Sequence, residues 1–312
     1  MSALKIDKSA PLYIAGHKGM AGSAIWRCLE KNDFTNLVGA SSAELDLRNR
    51  QAVFNFMRKI RPKYVVLAAA KVGGILANDA WPVSFLSENL QIQVNVMDAA
   101  LETGVDRLIF LGSSCIYPKE AAQPLKEESL LTGALEPTND AYAIAKIAGI
   151  KHVQAVRKQY GKPWISIMPT NLYGPGDNYT DGESHVLAAL IKRFVDARNH
   201  NEGSVTNWGT GSPYREFLHV DDLASAVHQV LHHYDDETPI NIGSGDEISI
   251  GDLSNLIQAL VGYSGKVHWD HSKPDGTYRK LLDVQKLQTL GFQPKKGLET
   301  GLLEAISEYE NL

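Results

Sequence analysis

Short apolar, β-branched runs alternate along the chain with longer stretches in which apolar positions recur every three or four residues. The runs Leu12 to Ala15, Leu37 to Ala40, Tyr64 to Ala70, Arg107 to Leu111 and Trp164 to Met168 predict strands. They are apolar almost throughout, as parallel strands covered on both faces are. Met20 to Lys31, Arg50 to Ile60, Val83 to Thr103 and Ala141 to Tyr160 predict the helices between them. This alternation predicts an α/β fold with a doubly wound parallel sheet of the Rossmann type. Right-handed crossovers would put the first strand at the sheet centre and a ligand crevice at the carboxyl ends of the strands.

After Gly174 the pattern loosens, with Gly, Asn and Asp crowding Gly174 to Gly182. Helices are expected at His185 to Arg198, at Asp221 to His233 with Asp221 or Asp222 as its cap, and at Ser249 to Val261 with Ser249 as its cap. Residues 1–174 therefore read as a dinucleotide-binding unit. Residues 175–312 read as a smaller mixed α/β lobe, with some chain crossing back to the first unit.

Composition narrows the class. A chain of 312 residues with 44% hydrophobic and 21% charged residues can bury a large core. Its formal charge of -5 argues against a nucleic-acid binder. Two cysteines cannot build a disulfide framework. Met1 to Pro11 lacks an apolar signal core, and the longest apolar run, Val65 to Ala70, is too short to span a membrane. A cytoplasmic protein without membrane or nucleic-acid partners is expected.

The first chemical signal is Gly16-His17-Lys18-Gly19-Met20-Ala21-Gly22, between the first strand and the first helix. Glycines there let backbone N–H groups approach a pyrophosphate at the positive helix end. At the end of the second strand, an acid would bond the free 2'-hydroxyl of NAD. Ala40-Ser41-Ser42 stands there instead, with Lys18 nearby. This favours NADP, unless Glu44 or Asp46 reaches the ribose; Asp46 is expected nearer the adenine.

The second signal is Tyr142 and Lys146, four apart on one helix face. A nearby ammonium would lower the phenol pKa and make Tyr142 a general acid or base. Ser113 ends the strand Arg107 to Leu111 and could bond a substrate oxygen beside Tyr142. Cys115, two residues on, would share its side by strand alternation. Cys28, on the first helix, reads as core packing.

The glycine loop, the Ser–Cys pair and Tyr-x-x-x-Lys resemble the extended short-chain dehydrogenase/reductase family. The resemblance narrows to its members that form GDP-L-fucose. It is carried by Ile14 to Met20, Leu67 to Ile75, Phe110 to Pro118, Leu135 to Asn139, Tyr142 to Lys151, Met168 to Pro175, Arg215 to Asp222 and Ser272 to Thr277. It implies a bifunctional enzyme that epimerises GDP-4-keto-6-deoxy-D-mannose at carbons 3 and 5 and reduces the ketone with NADPH. It implies Ser113, Tyr142 and Lys146 as the reducing set, and Cys115 with His185 as proton donor and acceptor. Lys146, His185, Leu111, Gly112, Ser113, Ser114, Pro169, Thr170, Asn171 and Leu172 would also meet the cofactor. Arg193, Trp208, Arg215 and Asp275 would meet the GDP-sugar. Taken alone, Arg193 reads as a solvated helix face, Trp208 as core and Arg215 as a surface pair with Glu216.

Ser42 departs from the family, which carries an arginine there for the 2'-phosphate; Lys18 would act without it. A 4,6-dehydratase would want a carboxylate close after Ser113, and a simple 4-epimerase would not need Cys115 with His185. A GDP-colitose-type epimerase/reductase would use the same groups. A non-catalytic NADP-sensing regulator would have little reason to keep both Tyr142 and Lys146. The family also implies a homodimer through Val83 to Thr103 and the Tyr142 helix, where Ala141 to Ala148 is rich in alanine.

Overall fold

The computed structural model describes residues 4–273 and 275–312. The first part of the chain runs β1 (Leu12–Ala15), α1 (Met20–Lys31), β2 (Leu37–Val38), α2 (Arg50–Ile60), β3 (Tyr64–Leu67), α3 (Ile75–Ala80), α4 (Pro82–Glu102), β4 (Arg107–Leu111), α5 (Asp140–Tyr160), β5 (Ile165–Pro169) and β6 (Asn171–Tyr173). The second part runs α6 (Val186–Asn199), β7 (Ser204–Trp208), β8 (Tyr214–His219), α7 (Val220–His233), β9 (Ile240–Ile242), β10 (Glu247–Ser249), α8 (Ile250–Val261), β11 (Lys266–Asp270), β12 (Arg279–Lys280), α9 (Gln285–Thr289) and α10 (Leu298–Glu310).

Six parallel strands form the main sheet in the order β2-β1-β3-β4-β5-β9. The expected central first strand is corrected: β1 lies second from one edge. The chain still reverses direction across the sheet there, because β2 pairs with one side of β1 and β3 with the other. A ligand crevice opens at such a reversal.

Apolar strands with helices on both sides follow from the run pattern. One core layer joins Tyr13, Val65, Leu67 and Phe110 to α2, α4 and α5. The other joins Ile14, Val66, Ile109 and Ile167 to α1 and α7. Each fully buried aliphatic side chain contributes on the order of 1.5–3 kcal/mol. A third core lies under α6, α8 and α10. The later half of the chain also enters the main sheet through β9, while β8 pairs with β6, β10 and β12.

Two local details differ from expectation. Helix α7 is capped by His219, whose Nδ1 accepts from Asp221 N at 3.2 Å, rather than by either aspartate. Strand β3 stops at Leu67, and Ala68, Ala69 and Ala70 leave the sheet to form a cleft wall. Ser249 caps α8 as expected, accepting from Asp252 N. Among the described residues, no helix is long and apolar enough to cross a membrane.

Candidate active site

The glycine loop is fixed by close backbone contacts. Gly16 sits at φ +87°, and a Cβ there would stand 2.8 Å from Ala69 backbone atoms. A Cβ on Gly22, in the first turn of α1, would overlap the Gly16 carbonyl. The N-terminus of α1 is thereby drawn against the sheet's carboxyl edge. Its first turn carries no acid. The site fits a dinucleotide: backbone N–H groups and a positive helix end face the cleft, and neither the glycine loop nor the first turn of α1 carries an acid to oppose a pyrophosphate.

That cleft encloses about 700 Å³. Its walls gather Gly16, Gly19, Met20, Ala21, Gly22, Ser42, Leu111 to Ser114 and Pro169 to Leu172, together with Cys115, Tyr142, Lys146, His185 and Arg215. His17 and Lys18 are not on these walls. The His17 ring packs against Trp26, 5.5 Å between centroids, and lies beneath Gly39.

At the ribose end the two candidate acids separate. The Glu44 carboxylate accepts from Ser41 N at 2.7 Å and from Ser41 Oγ at 2.6 Å, which holds its pKa below the usual carboxylate range. Asp46 lines the cleft but is paired with Arg48 at 2.9 Å. Arg48 also reaches Glu88, at 3.1 Å, and is a cation at this end that the sequence pattern did not single out.

Tyr142 and Lys146 stand one turn apart on α5. Lys146 Nζ donates to the Leu111 carbonyl at 2.8 Å and lies 5.7 Å from the Tyr142 ring centroid. The expected acidification of the phenol is not found. Burial raises the Tyr142 pKa, and the neighbouring Cys115 raises it further. Burial also pushes Lys146 down to about 7. Removing either charge from water costs more than this separation returns. Tyr142 is therefore a neutral phenol, suited to giving a proton rather than taking one.

Ser113 and Cys115 do come together, but by a different route from strand alternation. After β4 the chain makes a single 3₁₀ turn over Ser114–Ile116, and the Ser113 hydroxyl accepts from Cys115 N at 3.3 Å. Asn139 Nδ2 lies 3.6 Å from Cys115 Sγ, and Lys280 Nζ lies 3.2 Å from it. Burial pushes the thiol pKa up, but Lys280, Ser113 and Arg215 together outweigh that, so the net shift is downward.

His185 precedes α6 and is open to the cleft. Crowding by protein atoms and the charge of Lys280 lower its pKa. Gly74 N donates to the Glu183 carbonyl at 2.9 Å, which ties the segment before His185 to the loop after β3.

Arg215 is turned into the cleft and is not paired with Glu216. Glu216 is fully buried and accepts from Gly245 N at 2.8 Å and Leu282 N at 3.0 Å. Arg193, Trp208 and Asp275 stand outside the cleft walls. Arg215 Nη2 donates to the Asp275 carbonyl at 3.3 Å, and the Asp275 carboxylate accepts from Thr210 N at 2.7 Å. Arg193 donates to Asn207 at 2.6 Å. Trp208 is 48% exposed, so it is not core, and Lys273 Nζ lies 5.8 Å from its ring centroid. The closest group of metal-ligand type, His219, Asp221 and Glu304, is bridged by Lys296, at 3.3 Å from Asp221 and 2.6 Å from Glu304.

Lys280 and Asn139, like Arg48, are cleft groups that residue-by-residue reading missed. Strand β12 has only two residues, and neither belongs to a recognisable motif. No sequence signal marks Lys280; in the structure Arg279 faces Glu247, and strand alternation turns Lys280 the other way.

A parallel sheet with a glycine-loop helix start and a Tyr–Lys pair at its crevice defines a Rossmann-type, nicotinamide-dependent enzyme. The chain belongs to the NAD dependent epimerase/dehydratase family, whose model matches residues 12–243. It is 55% identical over 303 residues to GDP-L-fucose synthase 1 of Arabidopsis thaliana, covering 97% of this chain and 94% of that one. It is 49% identical over 300 residues to the GDP-L-fucose synthase of Escherichia coli (strain K12), covering 93% and 94%. Among solved structures, it is similar to MlghC, a GDP-mannoheptose C4 reductase from Campylobacter jejuni with NADP bound. The TM-score is 0.89 at 37% identity, covering 98% of this chain and 100% of that one.

Proposed function

We propose that the chain converts GDP-4-keto-6-deoxy-D-mannose to GDP-L-fucose, by epimerisation at carbons 3 and 5 followed by NADPH-dependent reduction of the ketone. The observation that carries this reading is the pairing, in one cleft, of a neutral Tyr142 with a thiol whose pKa is lowered beside Lys280. Groups whose environments push their pKa values apart divide acid from base work.

The ketone acidifies the C–H bonds on either side of it. Cys115 takes one of these protons, and the electrons of the broken bond move onto the ketone oxygen. Ser113 and Tyr142 donate hydrogen bonds to that enolate. His185 returns a proton from the opposite face through its protonated form, which the lowered pKa makes scarcer but more strongly acidic. Bound NADPH supplies the hydride for the final reduction. Tyr142 then gives its proton to the new alkoxide, and Lys146 stays fixed on the Leu111 carbonyl beside it. Gly16, Gly19 to Gly22, Ser42, Leu111 to Ser114 and Pro169 to Leu172 would hold the dinucleotide. Arg215, with its forked donors, would bind diphosphate, and Arg193, Trp208 and Asp275 would extend that contact outward.

Residues 175–312 would carry most of the substrate contacts and residues 1–174 the cofactor. A homodimer would form through α4 and α5, on which Val94 (38% exposed) and Ile144 (46% exposed) face solvent; sedimentation velocity would detect it. Two free cysteines suit the cytoplasm.

The deciding experiment is incubation with the keto-sugar and NADPH in deuterated water. Deuterium at both carbons flanking the ketone, with oxidation of NADPH, is expected. Oxidation without label would leave a plain C4 reductase, the activity in the name of the Campylobacter relative. Neither label nor oxidation would sink the proposal.

A further inference from the structure

We propose that Lys280 is the positioning residue for Cys115: its ammonium, 3.2 Å from Sγ, forms an ion pair with the sulfur inside the cleft, and this pair makes Cys115 rather than His185 the proton acceptor. The inference rests on the epimerase reading for what Cys115 does, but the pair itself can be tested apart from that reading.

The backbone aims Lys280 at this point. Strand β12 pairs in parallel with β8, with Lys280 opposite Arg215. Successive strand residues face opposite sides. Arg279 turns out to Glu247, 2.6 Å from its carboxylate. Lys280 turns in, and among the described residues its ammonium has no hydrogen-bond partner other than Sγ. No carboxylate pairs with Lys280, since Glu136 on the same wall is taken by Lys119, and a half-buried ammonium favours an anion facing it. The thiolate is the anion available.

The other groups facing Sγ support the same charge pattern. Arg215, from β8, adds positive charge. Asn139, before α5, offers an amide N–H at 3.6 Å. Tyr142 is neutral, and Lys146, at about 7, is only partly charged near neutral pH. The carboxylate on this wall, Glu136, is bonded to Lys119 at 3.0 Å. His185 feels Lys280 in the opposite sense, since a second cation there is disfavoured. One ammonium therefore pulls Cys115 toward its anion and holds His185 away from its cation. Neither effect could be assigned by treating the two residues as a symmetric pair.

The test uses the full chain carrying Cys28→Ser, which leaves Cys115 as the only thiol. The pH dependence of its alkylation by iodoacetamide is measured, with NADPH binding as the check on folding. With Lys280 in place, the midpoint should fall below the ordinary thiol value of about 8.5. Lys280→Met should raise the midpoint by about one pH unit or more, slowing alkylation about tenfold at neutral pH. Lys280→Arg should restore most of it. An unchanged midpoint in Lys280→Met protein that still binds NADPH overturns the proposal. A merely structural role would alter NADPH binding or all rates alike, and would not move the midpoint. In the reaction, deuterium exchange into the keto-sugar should shift to higher pH by the same interval. If the alkylation midpoint moves and no exchange occurs in any variant, the ion pair stands and the epimerase reading fails.

Discussion

Tyr142 and Lys146 stand one turn apart on a single helix, whereas Cys115, His185 and Lys280 come from three loops or strand ends up to 165 residues apart. The helical pair is held by regular structure: Lys146 reaches the end of β4, and the Tyr142 ring meets Phe85 edge-on at 6.2 Å. Burial there disfavours charge on both groups. In the loop-borne set, Lys280 and Arg215 offset the burial of the thiol and favour its anion. One cleft thus gives a proton at one end and takes a proton at the other. The difference also suggests why a reductase scaffold can acquire epimerase chemistry. The reducing end is part of the fold, and the proton-taking end is added by side chains from connecting segments.

Removing each end separately should break this contrast if it is wrong. Tyr142→Phe is expected to slow NADPH oxidation by about 10²–10⁴-fold. Deuterium exchange into the keto-sugar should fall only about tenfold, the worth of one hydrogen bond to the enolate. Cys115→Ser should do the reverse: exchange falls about 10²–10³-fold while NADPH binding changes less than about twofold. Stopped-flow oxidation and isotope uptake on the same samples give both rates. Equal losses of exchange and oxidation in both variants would show that the two ends are not separate.

The same contrast governs what could be read from sequence. The boundaries of α1 and α2 follow from apolar spacing to the residue, because helical periodicity and caps are local. The sheet order needed tertiary information, and β1 sits nearer an edge than crossover rules suggest. Tyr142 and Lys146 were legible because four-residue spacing guarantees a shared face. Their pKa directions were not, since burial decides them and the separation of the two groups depends on where Lys146 finds its carbonyl. Cys115 stood out by its place two residues after Ser113, whereas His185 entered only through resemblance to a family. Lys280 was invisible, because no local pattern links a two-residue strand to a turn 165 residues away.

A pH-dependent stability measurement sharpens the claim for the helical end. Lys146 has its pKa pushed from 10.5 down to about 7 by burial. The unfolded chain holds this proton up to the ordinary value, and the native protein releases it near 7. Between those values the unfolded state binds more protons, so native stability rises with pH across that window. Below about pH 7 both states are protonated, and the native protein bears the full cost of a buried ammonium. Lys146→Met lacks that cost. Cofactor-free Lys146→Met should therefore exceed the wild type in Tm most clearly at about pH 6, and the gap should shrink by about pH 9. A gap that is the same at both pH values would mean that the Leu111 carbonyl compensates the charge, and that this end of the cleft is not selective for neutral groups.

The smallest expected effect lies at the ribose end, where the comparison is between two nucleotides. Glu44 is exposed, and its carboxylate is held against Ser41 N and Oγ at the end of β2, within the field of Lys18. A 2'-phosphate near Ser42 would meet both the Lys18 cation and the Glu44 anion, which oppose each other. Glu44→Gln keeps an oxygen for the Ser41 bonds and removes the negative charge. NADPH should then bind about two- to fivefold tighter and NADH unchanged, because solvent screens an exposed charge to that scale. Titration of nucleotide fluorescence with the unloaded protein measures both constants. Equal tightening of NADPH and NADH would assign the effect to loop order rather than charge. Weakening of both would show that Glu44 acts mainly by fixing the Ser41 turn, leaving Lys18 and Arg48 as the groups that decide between the two cofactors.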